Sequence, residues 1–151
     1  MTINGFEMQS KNGKSVQFKS IPIIVADRVN PNNTMYSKEA VEGAARSFSE
    51  VFGEVLRNDR DLYVKEVKEV SKDKVGVTAN NPSYSNGTLY VDIAIDKGKF
   101  QKEEGKQFET RIRGYSKHRQ GNVCCIHRDM VITAVDVCMV KPCEPIIDVV
   151  I

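Results

Sequence analysis

Between Ser37 and Arg57, the residues Val41, Ala44, Ala45, Phe48, Val51, Phe52, Val55 and Leu56 recur at three- and four-residue intervals. They make one broad apolar stripe of helical period. The spacing predicts a long helix over Ser37–Arg57, with Ser37 as N-cap and Glu39 placing negative charge in its first turn. Helix propensity alone does not hold such a face in place, so a sheet has to cover it. The chain must therefore supply strands on both sides of this segment.

It does so in recognisable pieces. Val16 to Ala26 starts with alternation and becomes wholly apolar, a strand entering a core, with Pro22 marking an edge or bulge position. Asp27 to Thr34 is turn-rich. Leu62 to Val70 is ambiguous, because its valines fall three apart while its residue types favour a strand. Val75–Ala79 reads as a short strand, Asn86-Gly87 as a tight turn, and Leu89 to Ile95 as a half-buried alternating strand. Lys99 to Arg111 carries Phe100, Phe108 and Ile112 as a thin helical stripe and predicts a shorter surface helix, left through Gly114. Met130 to Val140 is apolar on both faces, as a central strand is. Lys141 to Pro145 breaks it, and Ile146 to Ile151 is placed as a final strand. The order defines a sheet-rich α+β domain with one dominant helix. Residues 1–15 are expected to form a flexible arm or edge hairpin, and residues 16–151 a single domain.

Composition removes several classes of function. At 151 residues with 40% hydrophobic and 28% charged residues, the chain has ordinary globular make-up. No apolar run approaches the ~18 residues a membrane helix needs, and Met1 to Ser20 lacks a signal core, so neither a membrane nor secretion is expected. A net charge of +2 is too small for the basic stripe of a duplex-binding protein, which argues against nucleic acid as a partner.

The four cysteines, Cys124, Cys125, Cys138 and Cys143, fall near the C-terminal end. Adjacent Cys124 and Cys125 point to opposite faces of a strand, and the Cys138/Cys143 pair has only His118 and His127 as nearby nitrogen ligands. Reduced thiols packed as small hydrophobes are expected, with no metal and no cofactor. A cysteine or metal protein is a rival that stoichiometric zinc would support. The phosphate-loop and dinucleotide glycine signatures are absent, as are the zinc-protease and nucleophile-elbow motifs. What remains is Arg113-Gly114-Tyr115-Ser116-Lys117-His118-Arg119-Gln120-Gly121. Ser116 comes two residues after Gly114 at an expected helix-to-strand junction and would need a general base to act as a nucleophile. Read by itself, the stretch is an exposed basic turn.

Taken in order, several segments resemble the prohead core proteases of tailed phages. Asn30, Asn32, Asn33 and Tyr36 are similar to that family's entry to its helix. Asn86 to Ile95, a polar helix, then Gly114-Tyr115-Ser116 resembles its run into the catalytic serine. Thr133 to Cys138 followed by Pro142 is similar to its closing strand. The resemblance covers roughly residues 16 to 145. It implies a herpesvirus-protease-like fold, a mainly antiparallel, barrel-like sheet flanked by one long and one shorter helix, and a role in capsid maturation.

It also exposes a departure. The active family carries a histidine well upstream of the serine as general base, whereas Gly53 to Asp61 here contains none, and both histidines follow Ser116. A base contributes ~10²–10⁴-fold to proton transfer, so without one Ser116 is close to inert. Asp59 or Asp61 would substitute only with a pKa raised by burial. Asp136, in an apolar strand, is expected to pair with Arg111, Arg113 or Arg128 rather than to act in catalysis. The expectation is therefore no catalytic residues, and a capsid auxiliary or decorating subunit located in the virion and assembled in the host cytoplasm. Its partners would be the major capsid protein and other capsid subunits, with homo-oligomerisation left open. The alternative is an active serine prohead protease with Ser116 as nucleophile and His118, or else His127, as base.

Overall fold

Strand pairing rather than helix packing organises the molecule. The computed structural model describes residues 6–9, 15–29, 34–56, 70–96, 109–116, 119–120, 124–126, 130–138 and 146–148. In chain order these form β1 (Phe6–Gln9), β2 (Ser15–Val25), β3 (Thr34–Tyr36), α1 (Lys38–Ser47), β4 (Val51–Gly53) and β5 (Val55–Leu56). A 3-10 turn at Lys72–Lys74 precedes β6 (Val77–Ser85), β7 (Thr88–Asp96), β8 (Glu109–Ser116), β9 (Arg119–Gln120), β10 (Cys124–Ile126), β11 (Met130–Cys138) and β12 (Ile146–Asp148). The main sheet runs β1-β2-β7-β6-β4-β11-β8-β12, with β5 also pairing β11, and curls into a half-barrel. A second small sheet is ordered β3-β10-β9.

Two features depart from what the sequence suggests. The main sheet is mixed, with β4 and β5 parallel to β11 and β12 parallel to β8, and in the small sheet β10 lies parallel to β3. The helix is also half its expected length. Ser37 caps it as anticipated, its hydroxyl accepting from the Ala40 backbone N–H at 3.0 Å. At the other end Ser47 bonds back to the carbonyls of Gly43 (3.0 Å) and Ala44 (3.4 Å), and Phe48 turns extended (φ −65°, ψ 124°). The following Val51-Phe-Gly-Glu-Val-Leu56 meets helical spacing, yet its β-branched Val51 and Val55 and aromatic Phe52 are residue types that gain by pairing in a sheet. Pairing with β6 and β11 wins. In consequence Val51 is buried, while Phe52, counted in the helical stripe, is 46% exposed. The shorter helix over Lys99–Arg111 lies largely outside the described residues, but Glu109 to Arg111 are already β8, ladder-bonded to β11.

The other strands fall close to expectation. β7 alternates buried Leu89, Val91, Ile93 and Ile95 with half-exposed neighbours. β11 is central, between β4 and β8. Pro22, opposite Tyr90, sits beside a register shift of β2 on β7, the irregular position that a proline within a sheet favours. The strand read at Val75–Ala79 continues to Ser85 through a second shift between Asn80 and Ser83. Ser20 (φ 54°), within a further shift of β2 between Phe18 and Ile21, and Asn81 (φ 55°), within the β6 shift, take left-handed backbone on either side of β7. Asp92, between them, accepts from the Ser20 N–H and the Asn81 side-chain amide, each at 2.9 Å. Leu62 to Glu69 lies outside the described residues.

The core forms where α1, through Ala40, Val41 and Ala44, lies on β6, β7 and β11. Ile93, Ile95, Val77, Ala79, Ile112, Val135 and Val137 meet it there, each at most 1% exposed. At roughly 25 cal/mol per Å² of apolar surface removed from water, these side chains supply the main driving force for closing the sheet over the helix. Among the described residues, no helix is long and apolar enough to cross a membrane.

Candidate functional site

β8 carries both groups from which chemistry could be built, and strand alternation separates them. Along β8, Thr110, Ile112, Gly114 and Ser116 share one face, and Arg111, Arg113 and Tyr115 the other. Ile112 belongs to the core, and Ser116 lies across from Met130, also a core residue. Ser116 therefore points inward. Its exposure is 0%. The turn expected around it is instead regular strand, because its backbone pairs with β11 through Met130.

The opposite face holds a buried ion cluster. Asp136, 0% exposed, receives Arg113 Nε at 2.8 Å and Arg111 Nε at 3.4 Å on Oδ2. Its Oδ1 receives Arg113 Nη2 and the Glu54 backbone N–H, both at 2.9 Å. Arg113 Nη2 also reaches Glu54 Oε2 at 2.7 Å. Two cations and two carboxylates thus balance where an unpaired charge would be very costly. Burial pushes the Arg113 pKa down, but Asp136 first and Glu54 second outweigh it and hold the guanidinium above its ordinary range.

The local sequence explains the cluster. Register sets Asp136 opposite Arg111 and Ala134 opposite Arg113, so both arginines converge on one carboxylate across the ladder. Glu54 arrives because the chain breaks between β4 and β5, with the Val137 N–H bonding the Glu54 carbonyl at 3.0 Å. Gly53 makes this approach feasible: a Cβ there would overlap the Val135 carbonyl. The pairing of Asp136 with Arg111 and Arg113 follows the sequence reading, whereas Arg128 lies outside the described residues. Glu54 went unread, although an acid embedded in Val-Phe-Gly-Glu-Val-Leu was itself a signal of a buried partner.

Asp136 is turned away from Ser116, so the two do not form part of one relay. His118, His127, Asp59 and Asp61 lie outside the described residues, as do Asn30, Asn32 and Asn33, while Tyr36 is buried on β3. Of the cysteines, Cys124 and Cys125 fall on β10 and Cys138 ends β11. Among the described residues there is no cluster of three metal-ligating side chains.

No family model matches the chain, and no curated protein matches it either. Among solved structures, the architecture resembles that of a phage capsid assembly protease. One such structure is the bacteriophage T4 capsid assembly protease, gp21, with a TM-score of 0.58 at 16% sequence identity over 91% of this chain and 90% of that one. At that identity the likeness defines the fold: mainly strands in a curled half-barrel, with one α-helix among the described residues.

Proposed function

We propose that this chain is a capsid-associated structural protein, an auxiliary or decorating subunit of a phage particle built on a prohead-protease-like domain. One observation carries the reading: the Ser116 side chain is wholly enclosed on the core face of β8. Acyl transfer requires the nucleophile to reach a peptide carbonyl and a base to lie within hydrogen-bond reach of the hydroxyl. A hydroxyl with no solvent-accessible surface meets the first requirement only if the atoms that cover it move aside. The acid in the neighbouring strand, Asp136, is committed to two arginines on the other face. The major capsid protein and other capsid subunits are the proposed partners, and the virion the proposed location. Ser116, His118 and His127 then have no catalytic duty.

The rival, a serine protease cleaving scaffold and capsid precursors, draws on the extent of the fold likeness. Ser116→Ala in the phage that carries the chain separates the two. A structural subunit leaves precursor processing unchanged, and mass spectrometry finds the chain in mature particles in both backgrounds. Accumulation of uncleaved precursors in the variant, or particles free of this chain, overturns the structural reading.

A further inference from the structure

The hairpin joining β6 to β7 holds a reactive sequence in an unreactive shape. The chain contains Asn-Gly at three places, Asn4-Gly5, Asn12-Gly13 and Asn86-Gly87. In such pairs the glycine has no side chain to hinder its own backbone nitrogen, which can attack the preceding side-chain amide. The nitrogen loses its proton and forms a bond to the Asn Cγ, and ammonia leaves. Water then opens the resulting succinimide at either carbonyl, giving aspartate or isoaspartate. No oxidant or enzyme is needed.

Ring closure requires the glycine nitrogen to swing to the side-chain side of the Asn Cα. At Asn86 the fold forbids this. Asn86 (φ 50°) and Gly87 (φ 82°) take the two mirror-image conformations of a type I′ turn, with Ser85 and Thr88 paired across it. In that geometry the Gly87 nitrogen stands nearly opposite the Asn86 side chain. The turn is fastened from outside as well, because the Gly87 carbonyl accepts the Ala26 N–H at 2.7 Å. The Asn86 side chain is nonetheless exposed, so water reaches it freely.

We propose that Asn86 is a latent deamidation site, guarded by the folded turn and released when the β6–β7 hairpin opens. This stands apart from the capsid reading. Formation of isoaspartate is also a trap. It adds a methylene to the main chain inside a two-residue loop, and loop length sets the register of the paired strands. The two strands affected, β6 and β7, carry Val77, Ala79, Ile93 and Ile95 of the core.

The test incubates the full chain at neutral pH in native buffer and in strong urea, then maps deamidation by peptide mass spectrometry. In urea the three Asn-Gly sites convert at similar rates. In native buffer Asn86 converts on the order of a hundredfold more slowly than in urea, because the hairpin must first open. Equal rates at Asn86 in the two conditions overturn the proposal, as does a slow Asn86 in urea. On removal of urea, Asn86→Asp, which adds the charge without the methylene, refolds, whereas chains bearing isoaspartate at position 86 do not. Equal recovery of the native circular dichroism signal by both removes the trap.

Discussion

Asp136 Oδ2 lies 2.8 Å from Arg113 Nε, in a pair whose side chains are 0% and 1% exposed. Arg111 approaches the same oxygen at 3.4 Å from the neighbouring rung of β8. Such a pair adds little over a well-packed apolar substitute, but breaking it leaves a buried charge uncompensated. Asp136→Ala removes the carboxylate that Arg111 and Arg113 share and leaves two buried cations beside Glu54 alone of the cluster's two acids, so a loss of about 3–5 kcal/mol is expected by urea unfolding. A loss below ~1 kcal/mol would show that the arginines find other partners.

Glycine positions offer a contrast within neighbouring elements. Gly53→Ala drives a methyl into the Val135 backbone carbonyl, and neither strand can yield without breaking the β4–β11 pairing. Soluble expression with loss of the cooperative thermal transition is the expected outcome. Gly43→Ala, in the middle of α1, meets nothing within 4 Å. There it should stabilise by up to ~1 kcal/mol through lower backbone entropy in the unfolded chain.

The helix start provides a smaller, cleaner measurement. Ser37→Ala deletes the acceptor of the Ala40 N–H and is expected to cost about 1 kcal/mol in chemical denaturation. Ser37→Asp, which retains an acceptor and adds a favourable charge at the helix N-terminus, should recover most of it.

Asp92 gives the fold a pH dependence of known sign. Burial pushes its pKa up, but the Asn81 amide, the Ser20 N–H and Lys19 together outweigh this and hold it below the usual carboxylate value. A carboxylate with a depressed folded pKa contributes stability above its unfolded pKa of ~3.9 and loses it as pH falls through the folded one. Asp92→Asn should therefore flatten the acid limb of a stability-against-pH curve measured below about pH 5. An unchanged acid limb would show that Asp92 does not contribute to it.

The elements that can be read from sequence are those whose information is local. Leu89 to Ile95 alternates, Asn86-Gly87 permits the mirrored turn, and Ser37 offers an oxygen to a helix start. Each of these is settled within a few residues of itself. The largely apolar run of Met130 to Val137 announces a strand covered on both faces, and the aspartate within it needs cations, which nearby arginines can supply. Segment 51–56 shows where that information ends. Its apolar spacing satisfies both a helix and a pair of short strands, and the parallel seam along β11, more than 75 residues distant, decides between them.

The same long-range pairing made the site. Sequence alone marks Ser116, Arg113 and Asp136 as chemistry-bearing residues and supplies the cysteines and histidines near them in the chain. Only the assembled sheet decided that Ser116 faces the core, that Asp136 faces away from it, and that Glu54 completes the ion cluster. Which face a strand residue occupies depends on register, and register is fixed by pairing between segments far apart in the chain. A single residue's shift would exchange the buried hydroxyl for the buried charges, and no local pattern in Glu109–Ser116 forbids that shift.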